Sequence, residues 1–507
     1  MDTRDSPEAA PSVDGLPEQV RVRREKLEQI REMGINPYPV GAPRTATLAE
    51  IREQHGDLGP DEHTGVTVSV VGRLMLKRDG GKLCFATLRD GSGDLQVMLS
   101  LADVGQEQLD NWKHLVDLGD LVSVTGEVMT SRKGELSVSG ASWVLAAKSL
   151  RPLPDKHKGL TDPEARARMR YVDLIVRPET RSAAYLRATI VHSVRDSLHR
   201  RGFVEVETPI LQQIHGGANA RPFETHINAY NMDVYLRIAT ELHLKRLLVG
   251  GMERVFELGR QFRNEGADSS HNPEFTSLEM YQTYADYQDM RILTQELIQE
   301  AATAAFGEPV ARRLQPDGST KEFDLSGEWP HITVVDAVSE KVGQPITADT
   351  PIEQMRDLAG KHGVDIEPRW TWGGVLEALY EDLCEDSTEL PTFYMDFPKE
   401  IAPLTKVHRD DPRFAEKWDL VCWGAEQGTA YSELNDPVDQ RARFVAQSLL
   451  AAAGDLEAMA IDEDFLQALE YGMPPTGGQG MGIDRLVMTL TGMNIRETIL
   501  FPMVKPQ

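Results

Sequence analysis

Residues 255–263, VFELGRQFR, and residues 275–281, FTSLEMY, flank the polar stretch NEGADSSHNPE at 264–274. Each flank alternates as a strand does, with successive side chains on opposite faces. If the polar stretch folds back, the flanks form an antiparallel pair. Phe256, Leu258, Phe262, Leu278 and Met280 then share an apolar face that reads as core. The other face carries Gly259, Gln261 and Arg263 from the first strand, and Phe275, Ser277, Glu279 and Tyr281 from the second. It offers a cation, an aromatic ring and a carboxylate. The alternative is a solvent-exposed hairpin with chance charges. Glu265, His271 and Asn272 in the intervening loop argue against it.

Two more stretches frame this one. Upstream, Leu186, Ile190, Val194 and Leu198 recur every four residues, which predicts a helix ended by Gly202. Val204, Val206 and Thr208 then alternate with Glu205 and Glu207 before Pro209, predicting a strand. Downstream, PPTGGQGMGIDRLVMTLT (474–491) predicts a Gly-rich strand entering a helix near Ile483, with Arg485 in its first turn. Glycine lets a backbone approach a ligand closely. A helix start favours anionic groups, and a planar guanidinium adds to that. The glycines at 477–482 are not followed by Lys-Ser or Lys-Thr, so this is no P-loop. Nucleotide chemistry here needs another architecture.

At 507 residues the chain exceeds one ordinary core. Residues 1–16 are polar and without periodicity, and are expected to be disordered. Residues 17–65 open with a charged helix closed by Gly34. Residues 66–147 alternate in five short runs, with turns at Asp79-Gly80-Gly81, Asp90-Gly91 and Lys133-Gly134 and a helix expected near Leu109–Val116. That pattern suggests a small oligonucleotide-binding (OB-fold) barrel. Residues 148–170 form a basic linker with seven Lys or Arg against three acids. Residues 171–507 mix helices and strands without regular βαβ alternation. The expected class is α+β, a barrel followed by an antiparallel sheet flanked by helices.

The net charge of −26 argues against broad nonspecific binding of nucleic acid, leaving local basic patches at 73–82 and 148–170. Cys84, Cys384 and Cys422 form no CxxC pair, so neither a disulfide framework nor a zinc site is expected and a reducing cytoplasm fits. No run of about 18 apolar residues occurs, and no membrane partner is expected.

The order helix-strand-Pro, strand-FRNEG-loop-strand and Gly-rich strand-Arg-helix resembles the three motifs of class II aminoacyl-tRNA synthetases. RMRYVDLIV (168–176), GGANARPFETH (216–226), YLRIATELHLKRL (235–247), FRNEGADSSHNPEFTSLEMYQTYADY (262–287), YSELNDP (431–437) and GMGIDRLVM (480–488) resemble the bacterial lysyl branch. GKLCFATLRD (81–90) is similar to that branch's anticodon-binding barrel. The resemblance covers nearly everything after about residue 20 and is weakest at 305–395, where a helical insertion is expected.

The resemblance implies ATP-dependent activation of L-lysine and its transfer to tRNA(Lys) by a homodimer. Arg263, Glu265 and Arg485 would be catalytic, and His271, Asn272 and Phe275 would complete the ATP site. Gly217, Glu241, Arg263, Glu279, Tyr281, Thr429, Tyr431 and Glu433 would hold lysine. Asp419 and Glu426 would bind Mg2+, with Asp419 standing where the family more often has Glu. In the barrel, Phe85 would stack an anticodon base, Gln96 and Glu135 would read base edges, and Arg78 would touch the backbone. Without the family match, Phe85 reads as an ordinary core aromatic.

Thr240, His243, Gly259 and Thr429-Ala430 depart from the usual lysyl pattern. If the Ala430 methyl faces lysine, overpacking is expected to weaken binding, and Ala430→Gly would lower the lysine KM. If it faces away, the change is neutral. Competing readings are a paralogue with altered amino-acid or inhibitor specificity, a catalytic domain that lysylates protein, a fused lipid-modifying enzyme, and a noncatalytic nucleic-acid-binding protein. The barrel argues against the second, the lack of a membrane-spanning run against the third, and the intact Arg263, Glu265, Asp419, Glu426 and Arg485 against the last.

Overall fold

The two alternating stretches pair as their periodicity requires. In a computed structural model, strands Arg254–Phe262 and Glu274–Thr283 run antiparallel, with Gln261 opposite Phe275, Gly259 opposite Ser277 and Val255 opposite Tyr281. Residues facing each other across a ladder share a face. Phe256, Leu278 and Met280 therefore point together into a fully buried cluster, and Leu258 packs against it. The structure describes residues 16–154, 159–268, 270–315, 317–452 and 461–506. The expected disorder at 1–16 lies outside them except for Leu16.

The chain forms two compact units, residues 1–161 and 162–507. In the first, helices Glu18–Glu32 and Leu48–His55 precede a closed barrel. Thr47 caps the second helix, accepting from the Glu50 backbone while Glu50 reaches back. The barrel strands are His63–Asp79, Leu83–Arg89, Asp94–Ser100, Leu121–Thr130 and Leu136–Ala147. The third and fifth pair in parallel and the other neighbours antiparallel. Val70, Leu74, Leu88, Val97, Val122, Val124 and Val138 fill the interior. Between the third and fourth strands, Leu101–Leu115 is two helical segments that meet at a kink at Gly105 (φ +78°). Ser100 caps the first through the Asp103 backbone, and the second carries the buried Leu109, Trp112 and Leu115 near where the helix was expected.

The basic linker is less of a free cationic patch than its composition implies. Lys148 is buried in the first unit, its ammonium between Asp117 (2.6 Å) and Asp120 (2.8 Å). Arg166 and Arg170 belong to the second unit, where both meet the buried Asp173. Residues 155–158 lie outside the described residues.

The second unit holds an eight-stranded sheet. Its order is His331–Thr333, Thr392–Pro398, Phe414–Cys422, Ala425–Ser432, Thr476–Gly482, Glu274–Thr283, Arg254–Phe262 and Val204–Glu205. The six inner strands are antiparallel and only the two edge strands join in parallel. Helices Pro178–Arg200, Tyr287–Phe306 and Ile483–Thr491 cover one face through Ile190, Val194, Leu198, Leu297 and Leu486.

Two expectations need correction. The alternation at Val204–Thr208 yields a strand of two residues, because Thr208 turns its backbone N–H and hydroxyl to the Glu257 carboxylate (3.0 and 2.7 Å). The 305–395 stretch is not simply a helical insertion. It carries helices Val334–Val342, Ile352–His362 and Trp372–Tyr380, but also a hairpin of Val310–Leu314 with Thr320–Asp324 and both outermost strands of the sheet at that edge.

Candidate active site

The sheet face away from the three helices bears a cavity of about 400 Å³. Gly217, Glu241, Arg263, Glu265, His271, Asn272, Phe275, Glu279, Tyr281, Glu426, Thr429, Tyr431, Glu433 and Arg485 all line it. Residues dispersed over 269 positions of sequence thus meet at one place. Asp419 is the one expected catalytic-unit residue not on its walls.

One end suits an anion and a ring. The Arg263 guanidinium carbon lies 5.2 Å from the Phe275 ring centroid, and Arg263 Nε is buried without a protein partner. The Arg263 backbone N–H donates to Pro273 O (3.0 Å), closing the loop. Glu265 accepts from the Arg221 backbone N–H (3.2 Å). His271 Nδ1 lies 3.0 Å from Asp268, and Asn272 Nδ2 donates to Glu274 O (2.5 Å). Arg485, in the first turn of Ile483–Thr491, donates to Glu426 O (2.6 Å).

The other end is a pocket of buried carboxylates. Glu279 accepts from the Thr240 backbone N–H (3.0 Å) and from the Tyr281 hydroxyl (3.3 Å). Burial first, then the Glu241 charge, pushes the Glu279 carboxyl up to about 7. Glu433 is also raised, chiefly by burial, with Lys245 pulling the other way. Its Oε1 has no protein partner. Lys245 went unnoticed in the sequence, although its i+4 spacing from Glu241 on helix Glu241–Val249 is a readable signal. It is fully buried and bonds both Glu241 (2.6 Å) and Glu433. Burial works against its charge, but the two carboxylates win and hold its pKa above the ordinary lysine value.

Two glycines make this pocket possible. Gly217 has φ +86°, and a Cβ there would lie 3.1 Å from both Ala239 Cβ and Glu241 Cβ. A Cβ on Gly478 would overlap Glu433 Oε1 and come within 2.5 Å of the Tyr281 ring.

Ala430 faces the other way. It is opposite Trp418 and Gln479 in the ladder and fully buried in the core beneath the helices. The expectation that its methyl narrows the lysine pocket is therefore not met, and the neutral alternative stands. Thr429, its neighbour, faces the cavity and donates to Trp418 O (3.1 Å). Thr240 and Gly259 do meet site elements. Thr240 is buried beside Glu279, and a Cβ on Gly259 would overlap the Arg237 guanidinium.

Asp419 and Glu426 sit on adjacent strands, Phe414–Cys422 and Ala425–Ser432. Asp419 Oδ2 pairs with Lys417 (3.0 Å), whereas its buried Oδ1 has no partner. Glu377, Glu381 and Glu385 stand near; burial and then the charges of Glu426 and Asp419 raise Glu385 to about 7, partly offset by the Glu426 backbone N–H. Among the described residues no group of three or more His, Cys, Asp or Glu is arranged to hold a metal by itself. Two carboxylates with one free buried oxygen fit a hard cation that takes its other ligands from phosphates and water.

On the barrel, Phe85 is half-buried and alternates with the interior residues Cys84, Ala86 and Leu88, so it lies on the outer face and not in the core. Arg78 faces it across the ladder and is exposed. Gln96 faces Thr87 on the next strand and donates to the Ser137 hydroxyl (2.8 Å). Glu135 is exposed, 3.7 Å from Arg52.

Family models match both units. Residues 162–505 match the class II tRNA synthetases (D, K and N), and residues 68–146 match an OB-fold nucleic acid binding domain. A lysine–tRNA ligase of Mycobacterium tuberculosis (strain ATCC 25177 / H37Ra) is 54% identical over 506 residues, covering 98% of this chain and 99% of that protein. The lysylphosphatidylglycerol biosynthesis bifunctional proteins LysX of Rhodococcus opacus (strain B4) and Mycobacterium marinum (strain ATCC BAA-535 / M) are 54% and 55% identical over 500 and 491 residues. These matches cover 98% and 97% of this chain, and the chain spans only 44% of each of those longer proteins. With an antiparallel sheet, an Arg263–Phe275 pair and a Gly-rich strand leading to Arg485 around one cavity, the chain belongs to the class II tRNA synthetases of the D, K and N group.

Proposed function

We propose that this chain activates L-lysine with ATP and transfers it to tRNA(Lys). The observation that carries the reading is the pocket of Glu241, Glu279 and Glu433 at one end of a cavity whose other end presents Arg263, Phe275 and Arg485. Buried carboxylates suit a diammonium amino acid, and a neutral isostere would leave them unpaired. An aspartate or asparagine reader would need a cation where Glu433 stands.

In the first step the lysine carboxylate attacks the α-phosphorus of ATP, the bond from that phosphorus to the bridging β-phosphate oxygen breaks, and pyrophosphate departs, leaving lysyl-adenylate. In the second a terminal tRNA hydroxyl takes the lysyl group and AMP leaves. The carboxylate nucleophile of the first step is already ionised, so the chain supplies charge neutralisation and placement, not a base. Arg263, its Nε free of protein partners, bridges the attacking carboxylate and the α-phosphate. Phe275 and Arg485 sandwich the adenine, while Glu265, His271 and Asn272 place the nucleotide. Gly217 and Glu241 take the α-ammonium; Glu433 and Tyr281 take the ε-ammonium, with Glu279, Thr429 and Tyr431 lining the pocket. Asp419 Oδ1 and Glu426 would hold Mg2+, which when bound offsets phosphate charge.

The outer barrel face supports anticodon reading by Phe85, Gln96, Glu135 and Arg78, the stacking-plus-edge mode used on unpaired bases. Three buried free thiols suit the cytoplasm. The test is ATP–pyrophosphate exchange with each of the twenty amino acids, followed by charging of tRNA(Lys). Exchange is expected with lysine, and with ornithine only weakly, since one methylene is worth about 1–3 kcal/mol. Exchange with aspartate or asparagine, or none with lysine, overturns the reading.

A further inference from the structure

Lys245 is not on the cavity wall, yet it touches two carboxylates that are. Its side chain is fully buried, with Nζ 2.6 Å from Glu241 and in contact with Glu433. Glu241 is on its own helix, four residues back. Glu433 follows strand Ala425–Ser432 on a different part of the chain. A within-helix pair alone would have satisfied a lysine; the second contact joins helix to sheet at the pocket floor.

The arrangement sets a charge count. Two buried carboxylates facing one cavity repel, and without a counter-charge one of them takes up a proton. Glu241, Glu279 and Glu433 with one internal ammonium leave two negative charges when all are ionised. A free diamino acid brings two ammonium groups, and its carboxylate goes to Arg263. The unpartnered Oε1 of Glu433 remains open to one of those ammoniums.

We infer that Lys245 is a positioning residue for amino-acid selection: it holds Glu241 and Glu433 at fixed spacing and cancels one of their charges, matching the pocket to a diammonium substrate. This rests on the lysine-activation reading. Its rival is a purely structural ion pair, which would cost stability or turnover without singling out the amino acid.

Lysine and ATP KM values in pyrophosphate exchange separate the two. For Lys245→Met the lysine KM is expected to rise roughly tenfold or more, with the ATP KM within about twofold of wild type. Lys245→Arg keeps the charge but lengthens the side chain, so its lysine KM is expected between the two. Propylammonium, the size of the deleted side-chain end, is expected to lower the lysine KM of Lys245→Ala and leave wild type unchanged. A folded Lys245→Met with wild-type lysine KM, or with lysine and ATP KM rising together, overturns the inference. Where Lys245→Met does not fold, a Lys245→Arg protein with unaltered lysine KM overturns it equally. Absence of lysine-dependent exchange in the wild-type protein would instead overturn the function reading.

Discussion

Ala430 shows how much one side chain's direction decides. Its methyl is buried with Trp418 and Met280 on the core side of the sheet. Ala430→Gly removes that methyl and loosens a strand, at a cost of about 1–2 kcal/mol. The lysine KM should stay at the wild-type value. Urea unfolding and pyrophosphate exchange on one preparation check both halves; a lowered lysine KM would mean the methyl faces the substrate after all. Burial raises the carboxyl of Glu279, to about 7, and that of Glu433 as well, so toward acid pH these pocket carboxyls hold protons that must be lost before they can face an ammonium. Lysine binding therefore releases protons, and the lysine KM should fall as pH rises from about 6 to 8, by at most roughly tenfold per unit for each proton released. The ATP KM should not follow. A lysine KM flat across that range would show that Glu279 and Glu433 are ionised throughout.

At the scale of elements, one buried carboxylate ties the three motif regions together. Asp484, at the start of helix Ile483–Thr491, accepts from Arg187 of helix Pro178–Arg200 (2.5 Å) and from the Thr276 backbone N–H (2.7 Å). Arg187 also donates to the Thr276 hydroxyl (3.1 Å). Arg187→Met would strand a charge that is 3% exposed, at a cost of about 3–5 kcal/mol. Because Arg485 is the next residue, adenylate formation should fall along with stability. Thermal unfolding with exchange assays tests this, and a destabilisation under about 1 kcal/mol would show that the tie is dispensable.

For the molecule as a whole, the two units should divide the labour. Phe85→Ala should leave lysine-dependent exchange intact and reduce charging of tRNA(Lys), since a lost base stack is worth about 1–3 kcal/mol. Equal charging efficiency for the two proteins would remove Phe85 from anticodon reading. We further propose a symmetric homodimer joined around residues 181–209. Tyr185 and Val204 on that stretch, and Ile210 and Leu211 just after it, are exposed in the single chain, an apolar surface that a twofold mate would cover. Sedimentation at micromolar concentration should give twice the chain mass; a fully active monomer refutes the proposal.

The sequence by itself determined which stretches become strands and helices around the site, because alternation and four-residue recurrence follow from backbone geometry. It marked the split between the core face and the functional face of the 255–281 hairpin, and Gly-rich strand, helix start and Arg485 in their order. Of the catalytic-unit residues that the family resemblance named, the cavity collects all but Asp419. Tertiary structure alone decided what depends on neighbours distant in sequence. Ala430 could be assigned to neither face until its register with Trp418 was known. Lys148 and Lys245, read as sequence, are two cations among 54 lysines and arginines. Only packing places one against Asp117 and Asp120 and the other between Glu241 and Glu433, where burial makes charge pairing obligatory.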